Sequence, residues 1–114
     1  MAKNYLLVYS EQLATDVELM CQGIKASSNT LFQIRKSSSS VYANIREANY
    51  GQSRSDMVSK FEIALKECSE TEGWLKLLFN TNAIEEEKFK ECLRKRSRAF
   101  LSAALQTRRM TSDV

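Results

Sequence analysis

Residues 58–79 read VSKFEIALKECSETEGWLKLLF and give the strongest indication of what this chain folds into. Mostly apolar side chains recur there at steps of three and four residues, which places them on one side of an α-helix. This predicted stripe contains Val58, Phe61, Leu65, Cys68, Glu72, Leu75 and Phe79. A half-buried strand would instead alternate apolar and polar side chains, so the segment predicts a long helix.

The same period continues on both sides of this segment. The predicted helices span about residues 5–26, 30–50, 55–80 and 84–108. Asn4 and Ser55 are placed to cap helices, and Gly51 to end the second helix in a left-handed conformation. Because short turns join the helices, consecutive helices must pack antiparallel. We therefore predict one domain over residues 1–114, an all-α, antiparallel, up-down-up-down four-helix bundle.

The composition agrees with one small domain. The chain has 114 residues, 43% of them hydrophobic and 27% charged, and it contains no proline and three glycines. Few turn-forming residues favour a few long helices over many short strands. No apolar run approaches the roughly 20 residues that span a bilayer, and no signal peptide is recognisable. We expect a cytoplasmic protein without membrane contact.

The residue types argue against common enzyme chemistry. Histidine is absent, which removes the usual general base at neutral pH and the commonest metal ligand. Cys21, Cys68 and Cys92 are widely spaced and lie among apolar residues, so we expect buried thiols rather than zinc ligands or disulfides. The chain has no glycine-rich phosphate loop and no G-x-S-x-G turn. We expect no catalysis, no cofactor and no metal site.

Residues 74–79, WLKLLF, are apolar almost all round the helix, more than one buried face requires. One explanation is a wide buried arc, and the other is an interface between subunits. We favour the interface and assign to it Trp74, Leu77, Leu78 and Phe79.

Two polar features fall on the predicted buried stripes. Glu72 and Arg96 interrupt the stripes of the third and fourth helices, and an interhelical ion pair or exposure at the stripe edge explains them better than catalysis. The serine run at residues 37–40 lies inside the second helix, where small side chains let a neighbouring helix approach closely.

Two short motifs carry a resemblance to a known family. Residues 39–48, SSVYANIREA, resemble the small-residue helix ending in N-I-x-E-G of the four-helix-bundle family named after proteins encoded in intervening sequences of bacterial 23S rRNA genes. Ala64 followed by residues 70–72, ETE, is similar to the A-x-x-S-x-x-E-x-E stretch on the third helix of that family. The likeness covers about residues 5–106.

The resemblance implies a bacterial or phage protein that assembles into a ring, typically a homopentamer, without known catalytic activity. Accessory variability proteins of diversity-generating retroelements share this fold. For that branch the resemblance implies a basic ring that binds a reverse transcriptase and nucleic acid. Ala48 and Glu67 depart from the family pattern, which has glycine and serine there, and the motifs do not assign the chain to one branch.

We also predict a structural role for the polar residues of these motifs, as a brace between the second helix and the start of the third. Asn44 and Glu47 are three residues apart, hence on one face of the second helix, next to the loop at Gly51. There they can accept hydrogen bonds from unpaired amides at the start of the third helix. Glu70 is expected to join this cluster or to meet a basic residue of the fourth helix.

Charge is uneven along the chain, whose formal net charge is +3. The candidate nucleic-acid-binding residues of the fourth helix are Lys88, Lys90, Arg94, Lys95, Arg98, Arg108 and Arg109. Such a run can neutralise RNA or DNA phosphates, although it also complements a helix dipole and keeps a surface hydrated.

We predict from these observations a non-enzymatic, ring-forming adaptor that binds nucleic acid, a protein partner or both through the fourth helix. Two alternatives stay open: a retroelement accessory protein that binds a reverse transcriptase, and a purely structural oligomer that binds no nucleic acid.

Overall fold

The computed structural model describes residues 4–51 and 53–112, and the regular structure within them is entirely helical. The four helices are α1 (Tyr5–Gly23), α2 (Ser28–Ala48), α3 (Arg54–Asn80) and α4 (Glu86–Ser112). The predicted all-α four-helix bundle is confirmed. The first helix ends earlier than predicted, and the last helix continues past residue 108. None of the helices in the described ranges is both long and apolar enough to cross a membrane.

Each of the first three helices begins at a polar N-cap residue, whose side chain binds the backbone amide three residues later. In each, the cap side chain accepts from a backbone N–H: Asn4 from Leu7, Ser27 from Thr30 and Ser53 from Asp56. These bonds satisfy amides that the first turn of a helix leaves without a partner. Asn4 was predicted as a cap, whereas Ser53 replaces the predicted Ser55.

Gly51 lies in the α2–α3 loop, and it does not adopt the left-handed conformation predicted for it, because no described glycine has a positive φ. Its lack of a side chain matters for space. A Cβ atom there would lie 2.5 Å from Met57 Cγ and 3.2 Å from the Ala48 carbonyl oxygen. The left-handed residue is Asn82, with φ 61°, in the turn between α3 and α4.

Each helix packs against two others, in the order α1–α2–α3–α4 and back to α1. Contacts across every seam join an early residue of one helix to a late residue of its neighbour, so adjacent helices are antiparallel. The contacts that show this are Glu11–Tyr42, Glu18–Arg35, Ser37–Thr71, Glu47–Lys60, Arg54–Met110, Glu72–Arg96, Asp16–Lys95 and Met20–Cys92. The molecule measures 46 × 23 × 21 Å.

The core follows the bundle axis. Its largest fully buried apolar side chains are Leu13, Val17, Ile34, Val41, Ile45, Phe61, Leu75 and Leu78. The buried line of α3 runs through Phe61, Ala64, Cys68, Thr71, Leu75 and Leu78. This buried line is rotated slightly around the helix axis relative to the predicted stripe. Leu65, Glu72 and Phe79 of the predicted stripe therefore lie half-buried at its edge. Both lines have helical spacing, and the one with more small residues faces the axis.

The serine run lies inside α2, as predicted, and allows a close seam with α3. Ser37, Ser38 and Thr71 are buried. Thr71 Oγ1 lies 2.9 Å from Ser37 Oγ. Each hydroxyl also reaches a carbonyl of its own helix, Ile34 for Ser37 and Glu67 for Thr71. The buried polar atoms of this seam are therefore satisfied, as a stable interior requires.

Candidate binding surface on the fourth helix

The outer side of α4 carries one line of side chains that points away from the bundle. Its members follow at steps of four and three residues, which keeps them on one helical face. We call this surface the arginine–leucine face, and it consists of Arg94, Arg98, Leu101, Leu105 and Arg108. All five are exposed; Leu101 is 60% and Leu105 52% accessible to solvent.

The charges of this face are not neutralised locally. Arg94, Arg98 and Arg108 form no ion pair with any residue in the described ranges. Two leucines one turn apart are therefore framed by three cations. Single exposed leucines are common on protein surfaces, but an apolar pair with a charged rim is a typical contact site.

The three lysines predicted to bind nucleic acid are held in ion pairs. The N–O distances are 3.3 Å for Lys88–Glu91, 3.2 Å for Lys90–Glu86 and 3.0 Å for Lys95–Asp16. The hydrogen bond from Lys88 to Glu91 raises the pKa of that lysine. Arg109 is exposed beside the face. The predicted seven-residue basic surface is therefore reduced, because carboxylates of α1 and α4 balance its three lysines.

Arg96 turns towards α3 rather than outwards, and its side chain is only 12% exposed. Its Nη2 atom donates to Ser97 Oγ at 3.2 Å and lies 3.9 Å from Glu72 Oε1. The guanidinium carbon is 5.3 Å from the Phe100 ring centre. The buried Nε atom has no hydrogen-bond partner among the described residues. Arg96 and Glu72 thus form a contact between two helices, in the arrangement expected of a structural pair.

The apolar stretch at the end of α3 is divided between core and surface. Leu78 is fully buried in its own chain, which removes it from the predicted subunit interface. Phe79 stacks on Phe89 of α4, with 4.7 Å between ring centres. Trp74 is half-buried against the core, and Leu77 is 40% exposed. The wide buried arc therefore explains most of this stretch.

The predicted polar brace does not form as one cluster. The Asn44 side-chain amide donates to the Ser40 carbonyl at 2.8 Å, one turn back on α2. Glu47 pairs instead with Lys60 of α3, at 2.9 Å. Glu70 is exposed farther along α3, because antiparallel packing sets it across from the other end of α2.

The three cysteines are buried free thiols, as expected. Burial raises the pKa of Cys21, and it raises the pKa of both Cys68 and Cys92 to about 12. A thiol with so high a pKa is protonated at neutral pH and is a poor nucleophile. The described residues hold no group of three or more Cys, Asp or Glu side chains that could bind a metal ion.

The chain matches the 23S rRNA-intervening sequence protein family over residues 7–102. It belongs to this family. Among solved structures it is similar to a protein of unknown function from the S23 ribosomal protein family of Bacteroides thetaiotaomicron. That pair has 30% sequence identity and a TM-score of 0.86, over 90% of this chain and 97% of the other. Comparison with curated proteins gave no match.

For this member of the intervening-sequence family, sequence reasoning missed that Leu101 and Leu105 leave the core. The predicted contact residues of the fourth helix are all basic, and neither leucine is among them. The regular spacing that they share with Arg94, Arg98 and Arg108 was the available signal. A second line at helical spacing on one helix indicates a second surface.

Proposed function

We propose that this protein is a non-enzymatic adaptor that forms rings with copies of itself and makes its contacts through the arginine–leucine face. The supporting observation is the exposure of Leu101 and Leu105 between three arginines without acidic partners. Covering apolar surface is worth about 25 cal/mol per Å², so the leucines would supply affinity. The arginines would select an acidic partner and raise the association rate.

A protein partner fits this surface better than nucleic acid does. The line lacks aromatic side chains on which bases could stack, and leucines gain little from contact with phosphate. A reverse transcriptase, which the resemblance implies for one branch of the family, would be one such protein.

Nucleic acid is the second candidate, and the unpaired arginines favour it. Three phosphate contacts would make the association constant fall with salt at a logarithmic slope of about −2.7. Affinity would then drop roughly 40-fold between 50 and 200 mM salt. A contact centred on leucines depends far less on salt.

The test compares two variants of the face with a matched control. One variant is Leu101→Ser/Leu105→Ser, and the other is Arg94→Ala/Arg98→Ala/Arg108→Ala. The control removes three exposed lysines outside the face, Lys25→Ala/Lys36→Ala/Lys66→Ala. Light scattering gives the assembled mass, and fluorescence anisotropy gives binding to RNA and DNA.

We expect the leucine variant to lose assembled mass while the control keeps it. Loss of RNA binding in the arginine variant alone, with the steep salt slope, would support the second candidate. If both face variants match the control in mass and in nucleic-acid binding, the proposed function is wrong.

A further inference from the structure

A second surface of the bundle has the chemistry complementary to the arginine–leucine face. It is a groove of about 580 Å³ between the end of α1 and the start of α4. Four of its five charged lining residues are acidic. We call it the acidic groove and define it by its apolar floor of Leu19, Met20 and Ile84 and its acidic rim of Glu85, Glu87 and Glu91.

The acidic groove is open and its rim is only partly neutralised. Leu19 is 60% exposed, and a Cβ atom on the neighbouring Gly23 would meet no atom within 4 Å. Glu91 already contacts two lysines, whereas Glu85 and Glu87 form no ion pair within the described part of the chain. Acids at a helix start complement the dipole, but that role does not account for the exposed leucine beside them.

Face and groove cannot meet within one molecule. The rim ends at Glu91 and the face begins at Arg94, and both lie on the same continuous helix, which cannot fold back on itself. Their contact must therefore join two copies. The two surfaces differ, so the contact is of the head-to-tail kind and leaves one free groove and one free face at the ends of every open chain.

We infer that the arginine–leucine face of one copy occupies the acidic groove of the next copy. Leu101 and Leu105 lie one turn apart and cover the exposed floor around Leu19. The flanking arginines meet Glu85 and Glu87. This inference rests on the proposed function, because it names the occupant of the same face.

The experiment exchanges the charges of the two surfaces. The face-reversed variant is Arg98→Glu/Arg108→Glu, and the groove-reversed variant is Glu85→Lys/Glu87→Lys. A control of equal charge change, Lys25→Glu/Lys66→Glu, lies outside both surfaces. Light scattering measures mass over a range of protein concentration, and circular dichroism checks that every variant stays helical.

Each reversed variant alone should lose assembly, and an equimolar mixture of the two should associate again, because every contact between unlike copies then joins opposite charges. Mixing Leu101→Ser/Leu105→Ser with the groove-reversed variant should stop at pairs, since only one contact is then possible. Each leucine removed should weaken association about tenfold.

A groove-reversed variant that assembles like the wild type, while the face variants do not, would overturn this inference and leave the proposed function standing. If the face variants also assemble and bind nucleic acid as the control does, both fail. Recovery in the mixture supports the inference over any other occupant, because only paired copies of this chain can rescue each other.

Discussion

On most surface helices the large apolar side chains face the core. On α4 the side chains with no exposure are small, and two large apolar side chains face the solvent. The inner side buries small residues, with Cys92, Ala99 and Ala103 all inaccessible to solvent. The outer side exposes the larger Leu101 and Leu105. Small inner residues let α4 lie close to its neighbours, so close packing there limits side-chain volume. The outer leucines are more than half exposed and lie outside the core cluster of their own chain, and this sets them apart as candidates for function.

The largest expected effect comes from adding volume to the inner side. Ala99→Leu forces a larger side chain into a packed seam and should cost about 1–3 kcal/mol in the free energy of unfolding. Urea unfolding followed by circular dichroism measures it. An Ala99→Leu protein as stable as the wild type would show that this seam is loose and would remove the packing argument.

A change of pH probes the same side of α4 through the Cys92 thiol. Burial raises the pKa of Cys92 from 9.0 to about 12, so the folded state keeps a proton that the unfolded chain has already lost above pH 9. This contribution to stability is complete below pH 9 and falls away as the pH rises towards 12.

The urea midpoint should therefore decline over that range, and Cys92→Ala should make the decline shallower, although it starts from a lower stability. Equal slopes for the two proteins would contradict the burial of this thiol. Rapid alkylation of native Cys92 at pH 8 would contradict it as well.

The smallest effect on folding is expected on the outer side. Leu101→Ser/Leu105→Ser should lower the unfolding free energy of the isolated chain by about 0.5 kcal/mol or less for each substitution, because both side chains are more than half exposed and lie outside the core. Unfolding at dilute concentration, where assembly does not contribute, measures this. A loss like that of Ala99→Leu would mean that both leucines support the fold, and the contrast between the two sides would disappear.

The helical period was enough to predict four helices and their approximate limits, because amphipathic spacing reports which residues leave water. It was not enough to set the rotation of each helix. On α3 the predicted line passed through Glu72, whereas Thr71 faces the axis. A hydrophobic pattern identifies the apolar side chains that leave water. At the close contact between α2 and α3, however, the size of a side chain decides whether it fits. A hydroxyl that bonds to its own helix and to its neighbour is then preferred to a larger side chain.

The surface could be predicted in part. The basic character of α4 was visible in the sequence, but which cations stay available depends on the carboxylates that other helices bring near. Lys95 lies 3.0 Å from Asp16 of α1, a contact that the order of residues does not reveal. The regular spacing of the outer line of α4 was visible in the sequence, but the rotation of the helix that exposes this line was not.

The hydroxyl seam between α2 and α3 also controls axial alignment. A slide of α3 along α2 by one turn, about 5.4 Å, would part Thr71 from Ser37 and Lys60 from Glu47 together. Apolar contacts between the two helices would largely re-form after such a slide, whereas these two polar contacts would not. These polar links therefore fix the axial position of α3 on α2. Because α1 precedes α2 and α4 follows α3, they also keep the start of α4 level with the end of α1, where the acidic groove opens.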